Sequence, residues 1–245
     1  MHGPRTATVI FVLAFAAALS HRPGAEEFTL NSNDVLPRSA SDGSGYEDRI
    51  LAEAFRRLGH TYSLVRVPSE RALVSVDRGE LDGDYVRIAG LENAYANLVC
   101  VAEPIASFDF ATFTGSASLR IDDWEDLRTR PVGMIIGWKI VEQKTKGFGS
   151  VNAVRDEAAL FALLLSGRVD AVVYDLLEGL RHIERTGAEG KIFVGPVLER
   201  RGMYLYLNRK HASLAAELAA VLRGMRKEGE IDRMTKEAIG RPARR

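Results

Sequence analysis

Two glycine-led stretches constrain this chain most: Gly79-Glu-Leu-Asp-Gly-Asp-Tyr-Val-Arg87 and Gly167-Arg-Val-Asp-Ala-Val-Val-Tyr-Asp175. Each follows a helix-like run and opens on a glycine suited to the left-handed residue that closes a helix. Each places an aspartate (Asp82, Asp170) three residues on and then enters a strand-like run. Both end on a charge, Arg87 in the first copy and Asp175 in the second. Ligands of parallel α/β sheets bind outside the carboxyl ends of the strands, where these two charges would sit. One positive and one negative end suit a small ligand carrying a carboxylate and an amine. The same pattern also describes two ordinary helix–strand units whose end charges are solvated.

The remainder of the chain bounds the function class. It has 245 residues, 46% hydrophobic and 27% charged, which is enough apolar content for a packed core. Lys plus Arg and Asp plus Glu are equal at 33 each. Arg5 and Arg22 are the only charges before residue 26, so the rest holds 31 basic and 33 acidic residues. That balance gives no electrostatic basis for a nucleic-acid partner. The N-terminus reads as a secretory signal over residues 1–25: Arg5, an unbroken apolar run over 9–19, then small residues to Ala25. The run is too short for a bilayer, which needs ~20 residues. Cleavage after Ser20 and after Ala25 are both compatible with the pattern. No cysteine lies near it to carry a lipid anchor, and the single cysteine, Cys100, sits in an apolar stretch and excludes an internal disulfide. A soluble, periplasmic protein is expected.

Periodicity gives an alternation of strands and helices. Strands are expected near 28–31, 61–67, 81–86 and 98–102, with helices at 46–58, at 69–78 capped by Ser69, and briefly at 91–96. A second unit starts over after an extended segment, 104–115, in which Phe108, Phe110 and Phe113 alternate. It holds helices at 122–127, 137–146, 157–166 (capped by Asp156) and 176–186, and strands at 132–136, 151–154 and 169–174. Two further strands, 192–197 and 203–207, are expected to be separated by the charged run 199–201. The tail reads as helices over 213–225 and 230–239, then a frayed basic end. The division is lobe 1 at 26–107 and 203–245 and lobe 2 at 108–202, with hinge segments near 108–113 and 197–206. A cleft between lobes is a preferred place for a ligand.

Several pieces in this order resemble the type II periplasmic solute-binding proteins of family 3, which capture polar amino acids and similar solutes for ABC transporters. They are Gly45-Tyr-Glu-Asp with Ala-Glu-Ala-Phe-Arg-Arg-Leu-Gly59, Gly79-Glu-Leu-Asp82, Glu103-Pro-Ile105, the run from Leu165 to Asp175, and Glu228-Gly-Glu-Ile-Asp-Arg-Met to Gly240. The resemblance covers nearly all of the mature chain. It implies an α/β, two-lobed periplasmic-binding-protein type II fold, each lobe a mostly parallel sheet flanked by helices, joined by two hinge strands. It also implies closure by hinge motion, a small-molecule solute, a membrane permease as partner, no cofactor, and Asp175 as a ligand for the solute's amino group. A helix-capping role for Asp175 is the structural alternative, and a monomer suffices for the mechanism.

The chain departs from that family at its binding residues. The usual arginine after the first lobe's strand is absent from residues 88–95; Arg87, earlier, at the strand end, is the expected substitute, with a surface ion pair to Asp84 or Glu92 as its alternative role. The loop after the first strand, Asn33-Asp-Val-Leu-Pro-Arg-Ser39, is thin in aromatics. The second lobe's helix start reads Gly137-Trp138-Lys139, bulkier and more basic than usual, though its N–H groups suit an anion. Tyr46, Tyr85, Phe110 and Trp138 are candidate walls for an apolar part of the solute. Arg71 is a weaker candidate for the cleft, with a surface role preferred. No catalytic or metal constellation is evident: His60, His182 and His211 are scattered, and no nucleophile or phosphate-loop motif occurs. A binder rather than an enzyme is expected, with a sensory protein serving a membrane receptor and a periplasmic enzyme on the same fold as the other readings.

Overall fold

The computed structural model describes residues 24–32 and 35–240. The expected signal segment lies outside them except for its last two residues, as do Asn33, Asp34 and the basic tail. Strand β1 (Glu27–Asn31) leads to α1 (Tyr46–Leu58), which buries Ile50, Leu51, Ala54 and Phe55 on one face. Acidic Glu47 and Asp48 sit in its first turn and Arg56 and Arg57 in its last, each sign matching the helix dipole. Then come β2 (Thr61–Val65), α2 (Ser69–Asp77), β3 (Gly83–Arg87) and β4 (Leu98–Cys100). Pro68, not Ser69, occupies the N-cap of α2, and no side chain caps it. The second unit contains β5 (Ala106–Thr114), β6 (Pro131–Ile135), α3 (Lys139–Lys144), β7 (Ser150–Val154), α4 (Glu157–Leu165), β8 (Ala171–Asp175) and α5 (Leu176–Thr186). A long β9 (Phe193–Asn208) precedes α6 (Ala212–Lys227) and α7 (Glu230–Ile239), and both of these helices pack on α1.

The strands run in the order β2-β1-β3-β9-β5-β8-β6-β7, with β4 also on β9. Each half begins parallel, β1 between β2 and β3 on one side and β6 between β7 and β8 on the other. Antiparallel strands complete both halves. β9 belongs to both: residues 204–208 pair with β3 and β4, and residues 193–203 pair with β5. The charged run 199–201 therefore does not interrupt a strand. Its side chains find partners across the hinge: Arg200 Nη2 donates to Asp109 Oδ2 at 2.8 Å, and Glu199 meets Lys144 at 3.0 Å. With both faces of the crossing strand available for such pairs, three charges in a row do not break the ladder.

The helix-closing glycines are where the sequence put them. Gly79 and Gly167 have φ of +75° and +69°, a conformation free of cost only without a Cβ. A different constraint fixes Gly179 on α5. A Cβ there would lie 2.1 Å from Phe113 Cζ, at the centre of the core formed by β5, α4 and α5. Gly179→Ala should therefore lower stability by about 1–3 kcal/mol despite alanine's better helix propensity. Thermal and urea melts check this; an unchanged midpoint would show that α5 shifts freely on β5.

Candidate functional site

The two repeated units deliver Arg87 as the last residue of β3 and Asp175 as the last residue of β8, both buried. Asp175 caps α5, accepting from the Glu178 N–H at 3.1 Å, and also accepts from Asp109 N at 3.3 Å. Its principal partner comes from an irregular loop of the other lobe. Arg38, from the segment between β1 and α1, crosses to it and donates from Nη2 to both carboxylate oxygens at 3.0 Å and from Nε at 3.2 Å. The same guanidinium meets Glu47 at 3.1 Å and Glu178 at 3.6 Å, bonds Tyr46 Oη, and lies 3.9 Å from the Phe108 ring centroid. Only 4% of Arg38 is exposed, so this is a buried cluster of one cation and three carboxylates.

That imbalance sets the protonation of the cluster. Burial works against the charge on Arg38, but Asp175, Glu47 and Glu178 more than offset it and hold the guanidinium ionised. Burial also pushes all three carboxyls up, against the pull of Arg38: Glu47 to about 7, Glu178 well above its ordinary value with Asp175 adding to the rise, and Asp175 upward too. Glu47 Oε2 is buried with no hydrogen-bond partner among the described residues.

Arg87 has its own set of partners. Its Nε donates to Asp84 Oδ2 at 2.6 Å, Nη2 to Ser69 O at 2.8 Å and Nη1 to Gly137 O at 3.4 Å. Residues three apart on a regular strand point to opposite faces. Here the β3–β9 register shifts between Asp84 and Arg87, and Val86 takes φ of +66°, which brings the two charges together. A β-branched residue in that region stores about 1–3 kcal/mol of strain, a feature concentrated at functional sites.

On the second lobe, Gly137 (φ +88°) turns the chain after β6. A Cβ at this position would meet Glu70 N at 2.5 Å, so the two lobes touch here. The Gly137 N–H is already taken by Glu142 Oε1 at 2.7 Å, and α3 is only six residues long. Lys139 Nζ bonds Glu70 at 2.5 Å across the lobes and Glu142 at 2.9 Å. Trp138 stacks on Tyr174 at 4.7 Å and meets Phe110 edge-on at 5.9 Å.

Two cavities adjoin these groups. The inner one, about 30 Å³, is lined by Arg87, Phe108, Phe110, Gly137, Trp138, Lys139 and neighbouring aliphatic residues. It has room for about two water molecules. The outer one is a groove of about 580 Å³ between the start of β5, α5 and α7, and Arg38, Tyr46 and Asp175 line it. Arg38 and Phe108, face to face, stand between the two. Arg87 and Asp175 therefore open onto different cavities. Tyr85 lines neither: its hydroxyl bonds Asp48 Oδ1 at 2.5 Å and Ser39 Oγ at 2.7 Å. Arg71 is exposed.

The raised carboxyls fix a sign for the pH dependence of stability. Between about 4.5 and 7 the folded protein holds a proton on Glu47 that the unfolded chain releases. Stability therefore falls as pH rises through that window, by ~3 kcal/mol from this group. Glu47→Gln keeps an acceptor for Arg38 and cannot ionise. Urea titrations at pH 5 and pH 7.5 should show the variant losing less stability than the wild type; equal losses would remove Glu47 as the source.

No family model matches the chain. A protein of Shewanella oneidensis described as uncharacterized is 25% identical over 206 residues, 79% of this chain and 75% of that one. Among solved structures, a mutant of ArgBP from T. maritima superposes with a TM-score of 0.74 at 19% identity, over 89% of this chain and 96% of the other. An amino acid ABC transporter substrate-binding protein from Streptococcus pneumoniae bound to L-arginine gives a TM-score of 0.72 at 16% identity, over 88% and 95% of the two chains. A histidine kinase sensor domain with similarity to periplasmic binding proteins gives 0.76 at 17% identity, over 89% and 96%. The chain has the two-lobed type II fold of the periplasmic binding proteins.

Proposed function

We propose that this is a solute-binding protein of the periplasm that takes a small carboxylate-bearing solute between its lobes and delivers it to an ABC transporter. The observation that carries this reading is the state of Arg87. Its Nη2 is shared between Asp84 Oδ2 at 2.6 Å and Ser69 O, while Nη1, which points across to the other lobe, has only the carbonyl of Gly137. That carbonyl is a neutral acceptor, and its bond, at 3.4 Å, is long. A carboxylate makes charge-assisted bonds roughly twice as strong and accepts the planar fork in two places. It would displace the Gly137 contact and still leave Asp84 to hold the guanidinium in place. The inner cavity is too small for such a solute as it stands, so the lobes must part to admit it, a hinge motion about β5 and β9. Phe110, Trp138 and Lys139 would then form the remaining walls. Tyr46, Tyr85 and Asp175 serve the frame around Arg38 and Asp48 in this reading. Solute capture of this kind needs no catalytic residue and no cofactor, and among the described residues no group of three or more His, Cys, Asp or Glu is placed to hold a metal. No helix among the described residues is long and apolar enough to cross a membrane. The periplasmic assignment rests on the signal-like residues 1–25.

The histidine kinase sensor domain among the similar structures favours a second reading, in which the loaded protein reports to a membrane receptor. Solute uptake by cells carrying or lacking the protein separates the two: transport requires that uptake fall in its absence.

A solute held by the native state alone should add ~2.7 kcal/mol of stability at a hundredfold excess over its Kd. Truncating Arg87 alone would strand Asp84 in the interior, so the cleaner variant is Asp84→Asn with Arg87→Met, which removes both charges. It should weaken carboxylate binding by about 10- to 100-fold in calorimetric titration. Unchanged affinity would rule out Arg87 as the anchor.

A further inference from the structure

The charges around the inner cavity define which solutes it accepts. Two cations, Arg87 and Lys139, face it, and among the described residues no carboxylate does. The acids nearest to them are already matched: Asp84 to Arg87, and Glu70 and Glu142 to Lys139. Asp175 is held on the far side of the Arg38–Phe108 stack by a bidentate ion pair. The other walls are aromatic and aliphatic, including Phe110, Trp138 and Met203. An ammonium group brought into this space would lose its hydration, meet two like charges and find no carboxylate to receive it.

We propose that the solute is a carboxylate with an apolar body and no amine, such as an aryl or branched-chain 2-oxo acid, and that Arg38 is the residue that determines this. Arg38 does so by occupying Asp175, the acidic group at the end of β8. Its guanidinium lies against an aromatic face, takes both oxygens of Asp175 and contacts Glu47 and Glu178, so the Asp175 carboxylate already has its cation. The inference rests on the cleft reading above and narrows it.

Matched pairs test it on the wild-type protein. Phenylpyruvate and 3-phenylpropanoate are compared with phenylalanine, and 4-methyl-2-oxopentanoate with leucine, by thermal shift and isothermal titration calorimetry. The amine-free member of at least one pair should raise the melting temperature and bind at least tenfold more tightly than its amino twin. Amino acids binding as tightly as their amine-free twins, or more tightly, would overturn the inference while leaving the solute-binding reading in place. No binding by any member would sink both. Arg38→Gln should then close the gap, giving phenylalanine at least a tenfold gain relative to phenylpyruvate. Should that variant not fold, Arg38→Gln combined with Glu178→Gln lowers the burden of buried charge; an unaltered preference in a folded variant would remove Arg38 as the determinant.

Discussion

The contact between Arg38 and Asp175 ties one lobe to the other. It joins a loop that follows β1 to the end of β8, residues 137 positions apart in sequence. A buried ion pair adds little net stability over an apolar substitute, but breaking it leaves a charge stranded in the interior. Its effect is therefore on geometry. Any arrangement of the lobes that separates these residues must hydrate or neutralise four ionisable groups at once. The bonds from Arg87 to Gly137 and from Lys139 to Glu70 lie on the same interface and act in the same direction. The structure is a closed one, and the chain's own side chains hold it closed.

Strand β9 lets two such lobes exist in one sheet. By pairing with β3 and β4 through one end and with β5 through the other, it makes the hinge continuous with both cores. The core cluster that contains Leu30 and Phe55 from the first unit also contains Phe110 and Val132 from the second. Relative motion of the lobes must be taken up in the short crossing stretches of β5 and β9. There the register is irregular, between Phe110 and Phe113, and the faces carry exposed charge. The local strain at Val86 sits on the other side of the cleft, one residue from the guanidinium it orients. Irregular register and strain thus lie beside the cavity, while the parallel strands behind it are regular.

Much of this was legible in the sequence because it is periodic or local. The apolar face of α1, the left-handed glycines at 79 and 167, the Asp156 and Asp175 caps and the strand ends at Arg87 and Asp175 all follow from spacing within one element. The unity of β9 was hidden because its partners for charge, Asp109 and Lys144, come from other elements. Arg38 was hidden for a stronger reason. It stands in an irregular loop with no period, and its burial is decided wholly by three carboxylates drawn from α1, β8 and α5. Glu47 and Glu178 looked like ordinary acidic residues in the first turns of helices, favourable to the dipole and free to face water. Only the fold reveals that both face inward and need a cation.

A cleft closed by its own residues alters how affinity arises. A solute that binds only the open form sees its affinity reduced by the fraction of molecules that are open, whatever contacts it makes later. The cross-lobe bonds set that fraction. On the reading proposed above, those made by Arg87 and Lys139 are bonds the solute would replace with its own, so that part of their cost would return on closure. The bond between Arg38 and Asp175 lies beyond the inner cavity and can re-form around a bound guest. It therefore favours closure with the solute as well as without it. On the reading proposed above, one buried ion pair would define the closed position, and Arg87, anchored by Asp84, would recognise what the cleft closes upon.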